Sequence, residues 1–156
     1  MDKITTEQRS ANMARIRNRD TKQEVYIRKQ LFLRGFRFRK NVSTLPGRPD
    51  IVFPRYRAII QVHGCFWHGH LGCKNFRIPK SNVEFWSEKI SRNKERDKST
   101  EELLKQSNWR VRVIWECELE NIPEENHAQF FDSLASWLRE TPALKSGVST
   151  DPSSKL

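Results

Sequence analysis

Between Asp50 and Cys73 the chain gathers an acid, three of its four histidines and two of its three cysteines. Groups that ligate metal are interleaved there with groups that move protons. Cys65, His70 and Cys73 follow a C-x4-H-x2-C spacing, and the distant Cys117 can complete a Cys3His set. Three thiolates and an imidazole give soft, closed tetrahedral coordination, which suits a structural zinc and leaves no open position for catalysis. His68 can replace His70 at this spacing. The alternative is three buried cysteines acting as small hydrophobes. The glycines around His70 favour a tight metal loop.

With His70 on zinc, His63 and His68 are left over, and with Asp50 they form an acid-plus-imidazole set. A hard Mg2+ ion prefers oxygen ligands, which suits Asp50 and a substrate phosphate. A neutral imidazole nearby can take a proton from water or give one to a leaving oxygen. Together these groups could carry out metal-assisted phosphodiester hydrolysis. The plainer alternative is that the histidines only pack and hydrogen-bond within the loop. Glu24 is a second candidate acid. Residues 1–80 hold 18 Lys/Arg against five acids, and Glu24 and Asp50 are the two not explained by the terminus or a helix cap. A carboxylate in a phosphate-seeking surface repels its ligand unless a cation intervenes. Pairing with arginine, or closing a capping box, is the competing role for Glu24.

Phe66 and Trp67 sit in the same glycine-flanked loop, and Trp86 lies near a helix start. Aromatics on a tethered loop can enter a base stack as wedges; otherwise they are core. The net charge of +10 divides unevenly, +13 over residues 1–80 and −3 over the remainder. This bias suits a polyanionic partner, although a basic surface can also be merely solvated. With 31% charged and 36% hydrophobic residues, and no run approaching a membrane span, the chain is expected to be cytoplasmic, with reduced cysteines.

The elements that must position these residues can be read from patterning. Residues 1–19 form a basic N-terminal arm, with Met13 and Ile16 the apolar members among its arginines. A single domain is expected over 20–140, and a Ser/Pro/Lys-rich, disordered tail over 141–156. Thr21-Lys22-Gln23-Glu24 reads as a capping box opening a helix that ends at Gly35. Glu24, Ile27 and Leu31 share a face of this helix. Phe36 to Val42 alternates as a strand, Asp50 to Phe53 is a short strand, and Ala58 to His63 is a third. Their spacing suits an antiparallel meander, which places Asp50 and His63 at one end of the sheet. Ser81-Asn82-Val83-Glu84 reads as a second capping box, opening a helix to about Gln106 with a break expected in its middle. Val83, Trp86, Ile90, Asn93, Asp97 and Leu104 form its stripe, with Thr100 bridging the last gap. Buried Asn93 and Asp97 would need partners. Trp109 to Cys117 alternates as a strand, and His127 to Arg139 is an amphipathic helix. The fold class is α/β, a mixed sheet between helices.

Taken together, Pro49-Asp50, Val62-His63-Gly64-Cys65-Phe66-Trp67-His68, Glu84-Phe85-Trp86, Glu95-Arg96-Asp97 and Trp109-Arg110-Val111 to Trp115-Glu116-Cys117 closely resemble the very-short-patch repair endonucleases, over about residues 9–138. The resemblance implies a restriction-endonuclease-like fold, a structural Zn2+ and a Mg2+-dependent site that nicks DNA at T:G mismatches left by 5-methylcytosine deamination. It implies metal binding by Asp50 and the Val62 carbonyl. It makes His68 the catalytic histidine, His63 and Asp97 a supporting pair, and Glu24 an acid nearby. Phe66, Trp67 and Trp86 would be the wedge, Met13, Arg15 and Arg17 would contact DNA from the arm, and Cys65, His70, Cys73 and Cys117 would hold zinc. A monomer acting on double-stranded DNA is expected, with mismatch-repair helper proteins as candidate partners. Two departures stand out. Gln61-Val62-His63 replaces the Asp/Glu-x-Lys of the wider nuclease superfamily, so an imidazole must do the work of the lysine. Val62 stands where the family has threonine, which preserves a carbonyl ligand but not a hydroxyl contact. The competing classes are a noncatalytic zinc-clipped DNA-binding module and a nuclease acting on fully paired DNA.

Overall fold

The computed structural model describes residues 20–140, and the arm with Met13, Arg15 and Arg17 and the tail from Thr141 lie outside the described residues. The element order is α1 (Lys22–Leu33), β1 (Arg39–Lys40), β2 (Ile51–Phe53), β3 (Ala58–His63), α2 (Val83–Gln106), β4 (Arg110–Trp115), α3 (Glu116–Glu120) and α4 (His127–Arg139). The sheet order is β1-β2-β3-β4. The first three strands form the antiparallel meander expected from their spacing, and α2 crosses over to bring β4 parallel to β3.

Both faces of the sheet are covered. On one face Ile51, Phe53, Ala58, Ile60 and Ile114 pack with Ile27 and Leu31 of α1 and with Phe131, Leu134 and Leu138 of α4. On the other, Val52 and Ile59 pack with Leu104 of α2 and Trp109. The alternation of strand side chains explains this split, since neighbours along a strand point to opposite faces. A strand covered on both sides reads as an unbroken apolar run, as in Ile51-Val52-Phe53.

Helix α1 ends as its glycine predicts. Gly35 takes φ +92°, its N–H bonds the Phe32 carbonyl and the Phe36 N–H bonds the Leu31 carbonyl, while Leu31 and Phe36 are both buried. This is a Schellman closure with its apolar contact. At the other end the Thr21 hydroxyl accepts the Glu24 N–H at 3.3 Å, but the Glu24 carboxylate reaches past the cap to the Asp20 N–H at 3.0 Å.

Several expectations need correction. Strand β1 is only Arg39–Lys40, because Phe36 and Phe38 leave the ladder to pack into the core. Helix α2 runs unbroken for 24 residues, and its N-cap is Asn82, left-handed with no side-chain cap bond, rather than Ser81. Val83 is 48% exposed and falls off the buried stripe. Strand β4 stops at Trp115, and Cys117 lies in the first turn of α3 rather than in the strand. No described helix is long and apolar enough to cross a membrane.

Candidate active site

The C-terminal end of β3, the N-terminal approach to β2, the 64–73 loop and the middle of α2 converge on one cleft. Its lining includes Glu24, Asp50, Val62, His63, Trp67, His68 and Asp97. Asp50 precedes β2, opposite Gln61 on β3, and its Oδ2 accepts the Val62 N–H at 2.8 Å. Burial, with the Glu24 carboxylate nearby, pushes the Asp50 carboxyl up to about 7 against the lowering effect of the Val62 hydrogen bond, His68 and Arg28. Burial raises Glu24 as well, and it is only 2% exposed. Two desolvated acids that line one cleft, Glu24 opposing the ionisation of Asp50, offer oxygen donors of the kind a hard divalent cation takes. Arg28 offsets part of this charge, lying 2.8 Å from Asp20 and 3.7 Å from Glu24.

His68 Nδ1 lies 2.5 Å from Asp97 Oδ2. A carboxylate at Nδ1 fixes the neutral tautomer with its proton there and leaves Nε2 for proton exchange. His63 stacks on His68 with ring centroids 3.9 Å apart and planes 5° from parallel. Burial, with His68 beside it, lowers the His63 pKa to about 4, so His63 is neutral at physiological pH. The ligand atoms of His63, His68 and Asp97 lie within 4.8 Å of one another. Stacked imidazoles nevertheless hold their in-plane lone pairs side by side, whereas a shared metal needs them to converge. The arrangement is that of an acid–base group with a rigid backing.

A second cluster forms beneath the loop. The ligand atoms of Cys65, His70, Cys73 and Cys117 also lie within 4.8 Å of one another. The structure therefore places His70 here and His68 on Asp97, which resolves the ambiguity in spacing. Cys117 Sγ is 3.4 Å from His70 Nδ1, the Cys65 N–H donates to Glu116 at 3.1 Å, and His70 stacks on Trp115 at 4.0 Å. Burial pushes the Cys65 thiol up to about 12. Three thiols and an imidazole drawn together around one point fit a soft tetrahedral metal.

The aromatics form a third group. Phe66 packs against Trp67 at 5.1 Å and Trp86 at 5.4 Å, all three are half-buried, and Lys89 lies over the Trp67 ring at 5.5 Å. They do not join either core cluster.

Sequence reasoning missed Trp115 and Glu116 as parts of the site. Trp115 lies beside His63 in the β3–β4 register, presents an edge to it at 5.2 Å, and carries His70 on its face. The signal was Trp115's position two residues before Cys117, read there as strand alternation and as part of the family motif but given no role in the site.

A family model described as DNA mismatch endonuclease Vsr matches residues 1–74. The type II nicking enzyme V.NmeAIP of Neisseria meningitidis serogroup A is 49% identical over 120 residues, covering 77% of this chain and 85% of the relative. The type II nicking enzyme V.XorIIP of Xanthomonas oryzae pv. oryzae is 45% identical over 121 residues, covering 78% and 88%. The DNA mismatch endonuclease Vsr of Escherichia coli K12 is 41% identical over 137 residues, covering 88% and 85%. The chain belongs to the Vsr family of DNA mismatch endonucleases. As a Vsr-family endonuclease it is a hydrolase of DNA phosphodiester bonds. Glu24, Asp50, His68 and Trp67 all line its cleft.

Proposed function

We propose that this endonuclease nicks one strand of double-stranded DNA at T:G mismatches arising from 5-methylcytosine deamination, and so initiates very-short-patch repair. The observation that carries this reading is that Trp67, packed with Phe66 and Trp86, lines the same cleft as His68 and Asp50. A binding module has no need of a buried acid pair or of a histidine held by a carboxylate. A nuclease for fully paired DNA has no need of an aromatic group at its catalytic histidine.

Asp50 and Glu24 would hold Mg2+, with the Val62 carbonyl as a further ligand, and Cys65, His70, Cys73 and Cys117 would hold Zn2+. When bound, Mg2+ neutralises phosphate charge and lowers the pKa of water, and Zn2+ ties the 65–73 loop to α3. His68, its Nδ1–H held by Asp97, takes a proton at Nε2 from the attacking water or returns one to the leaving oxygen. His63 stays neutral and holds the His68 ring plane. Phe66, Trp67 and Trp86 enter the stack beside the mismatch, where weak pairing lowers the cost of unstacking. Arg15 and Arg17, with Met13, would grip the duplex from the arm. The protein acts as a monomer in the cytoplasm.

The test compares strand scission of T:G and matched duplexes, with Mg2+ and with chelator. Nicking of the T:G strand alone, lost with chelator and reduced about 100-fold or more by His68→Ala, is expected. Equal cutting of matched DNA, or wild-type rates from Asp50→Ala, overturns the reading.

A further inference from the structure

Helix α2 grips the loop at three consecutive residues. Asn93 Nδ2 donates to the Trp67 carbonyl at 2.9 Å. Asp97, one turn on, holds His68. Gly69 then approaches the helix so closely that a Cβ there would sit 2.7 Å from Ile90 Cγ2 and 2.8 Å from Lys94 Cδ. The same helix carries Trp86 and Lys89 against the Trp67 ring. Trp86, Lys89, Asn93 and Asp97 follow one another at three- and four-residue steps along one stripe.

The atom that Asn93 holds is what gives the contact its consequence. The Trp67 carbonyl and the His68 N–H belong to one planar peptide unit, which moves as a rigid body. Asn93 pins its oxygen, and the Gly64 carbonyl accepts its N–H at 3.2 Å. The plane that joins the aromatic wedge to the acid–base histidine is thus fixed at both ends. The Asn93 amide is neutral and half-buried, and it needs this acceptor to be satisfied.

We propose that Asn93 is a positioning residue, whose amide locks the Trp67–His68 peptide so that seating of Trp67 in the base stack sets the orientation of His68 at the phosphate. The proposal rests on the mismatch-nicking function proposed above and adds the element that links recognition to cleavage. Loss of the amide leaves both side chains in place but frees the plane between them, so DNA binds and the chemistry is misaligned.

Asn93→Leu keeps the size and neutrality of the side chain and removes the donor, whereas Asn93→Gln keeps an amide on a longer arm. With T:G duplex, Asn93→Leu is expected to lower kcat about 100-fold while KM changes less than about 3-fold, and Asn93→Gln to recover at least a tenth of the wild-type kcat. In the free protein, amide exchange at residues 66–70 is expected to quicken in Asn93→Leu and return toward wild type in Asn93→Gln. Unchanged loop exchange together with a kcat near wild type in Asn93→Leu overturns the proposal, as does a loss carried wholly by KM. Should the wild-type enzyme show no preference for T:G, the functional reading fails. Loop exchange in the variants still decides whether Asn93 holds the peptide.

Discussion

Asp50 carries the largest conflict between burial and charge in the cleft, and its titration has a definite sign. In the folded chain without Mg2+ its carboxyl titrates at about 7, against an ordinary value of 3.8. Between those values the unfolded chain has released a proton that the folded chain still holds, so this group makes stability fall as pH rises from about 4 to 7. His63 acts in the opposite sense. Its depressed pKa, about 4, gives stability that is full above its ordinary 6.5 and is lost as pH falls toward 4. Subtracting one variant from wild type isolates the Asp50 contribution. Asp50→Asn, which can still accept the Val62 N–H, is expected to match wild type near pH 4. Above pH 7, without added Mg2+, it is expected to be more stable by on the order of 4 kcal/mol, while nicking is lost. Urea unfolding at both pH values measures this, and parallel pH profiles for the two proteins would contradict it. The acid that the proposed chemistry requires is thus expected to destabilise the empty fold, as strained functional sites do.

At the scale of elements, α2 is the part that decides the geometry of the cleft, and two glycines let the rest of the chain reach it. Gly47, at φ +72°, lies against Thr100, and a Cβ there would meet Thr100 Cγ2 at 2.2 Å. Thr100 is short and cannot swing away, so the 43–50 segment that carries Asp50 would have to retreat from the helix. Gly47→Ala is therefore expected to cost about 2–4 kcal/mol and to slow nicking, with Thr100→Ala restoring more than about 1 kcal/mol in the double variant. Additive effects in denaturant melts would show that the contact is not what constrains Gly47. Thr100 also shows how far the sequence could be read. The helical stripe read from Val83 to Leu104 holds for Trp86, Ile90, Asn93, Asp97, Thr100 and Leu104, which are buried or half-buried, and fails at the exposed Val83. Periodicity reveals which residues face inward but not what they meet, so Trp67 and Gly47 as partners of Asn93 and Thr100 were not legible. The meander and the end of the sheet shared by Asp50 and His63 were readable because short loops leave few topologies. The length of β1, the left-handed cap at Asn82 and the helical placement of Cys117 were not readable. For β1 and Cys117, long-range packing overrode a local pattern: Phe36 and Phe38 are drawn to the core, and Cys117 turns back toward His70.

Across the whole molecule the basic character is arranged differently from its division along the chain. The second half is net acidic by sequence, yet α2 lines the cleft with Lys89, Lys94, Arg96 and Lys98, facing Arg48 from the loop before β2. The acids of that half divide mainly between α2, which carries Glu84, Glu88, Glu95, Asp97, Glu101 and Glu102, and the α3–α4 region, which carries Glu116, Glu118, Glu120, Glu124, Glu125 and Asp132. The exposed charged members of the cleft lining, Arg48, Lys94, Arg96 and Lys98, are all cations. A cleft with a cationic rim steers a duplex toward the Asp50–His68 end of the sheet. Binding that rests on phosphate contacts releases counterions, so its affinity falls steeply with salt, by about 0.9 log unit per contact for each log unit of salt. The N-terminal arm brings Lys3, Arg9, Arg15, Arg17 and Arg19 to this balance. If the arm lies along the duplex, deleting residues 1–19 is expected to reduce the slope of log affinity against log salt by about 3–4, on matched and T:G duplexes alike. Fluorescence anisotropy over a salt series measures both slopes. Because phosphate contacts position and base contacts specify, the ratio of T:G to matched affinity should survive the deletion better than the affinity itself. An unchanged slope would mean that the cleft alone holds the backbone. A lost ratio with an unchanged slope would instead give the arm a share in reading the mismatch.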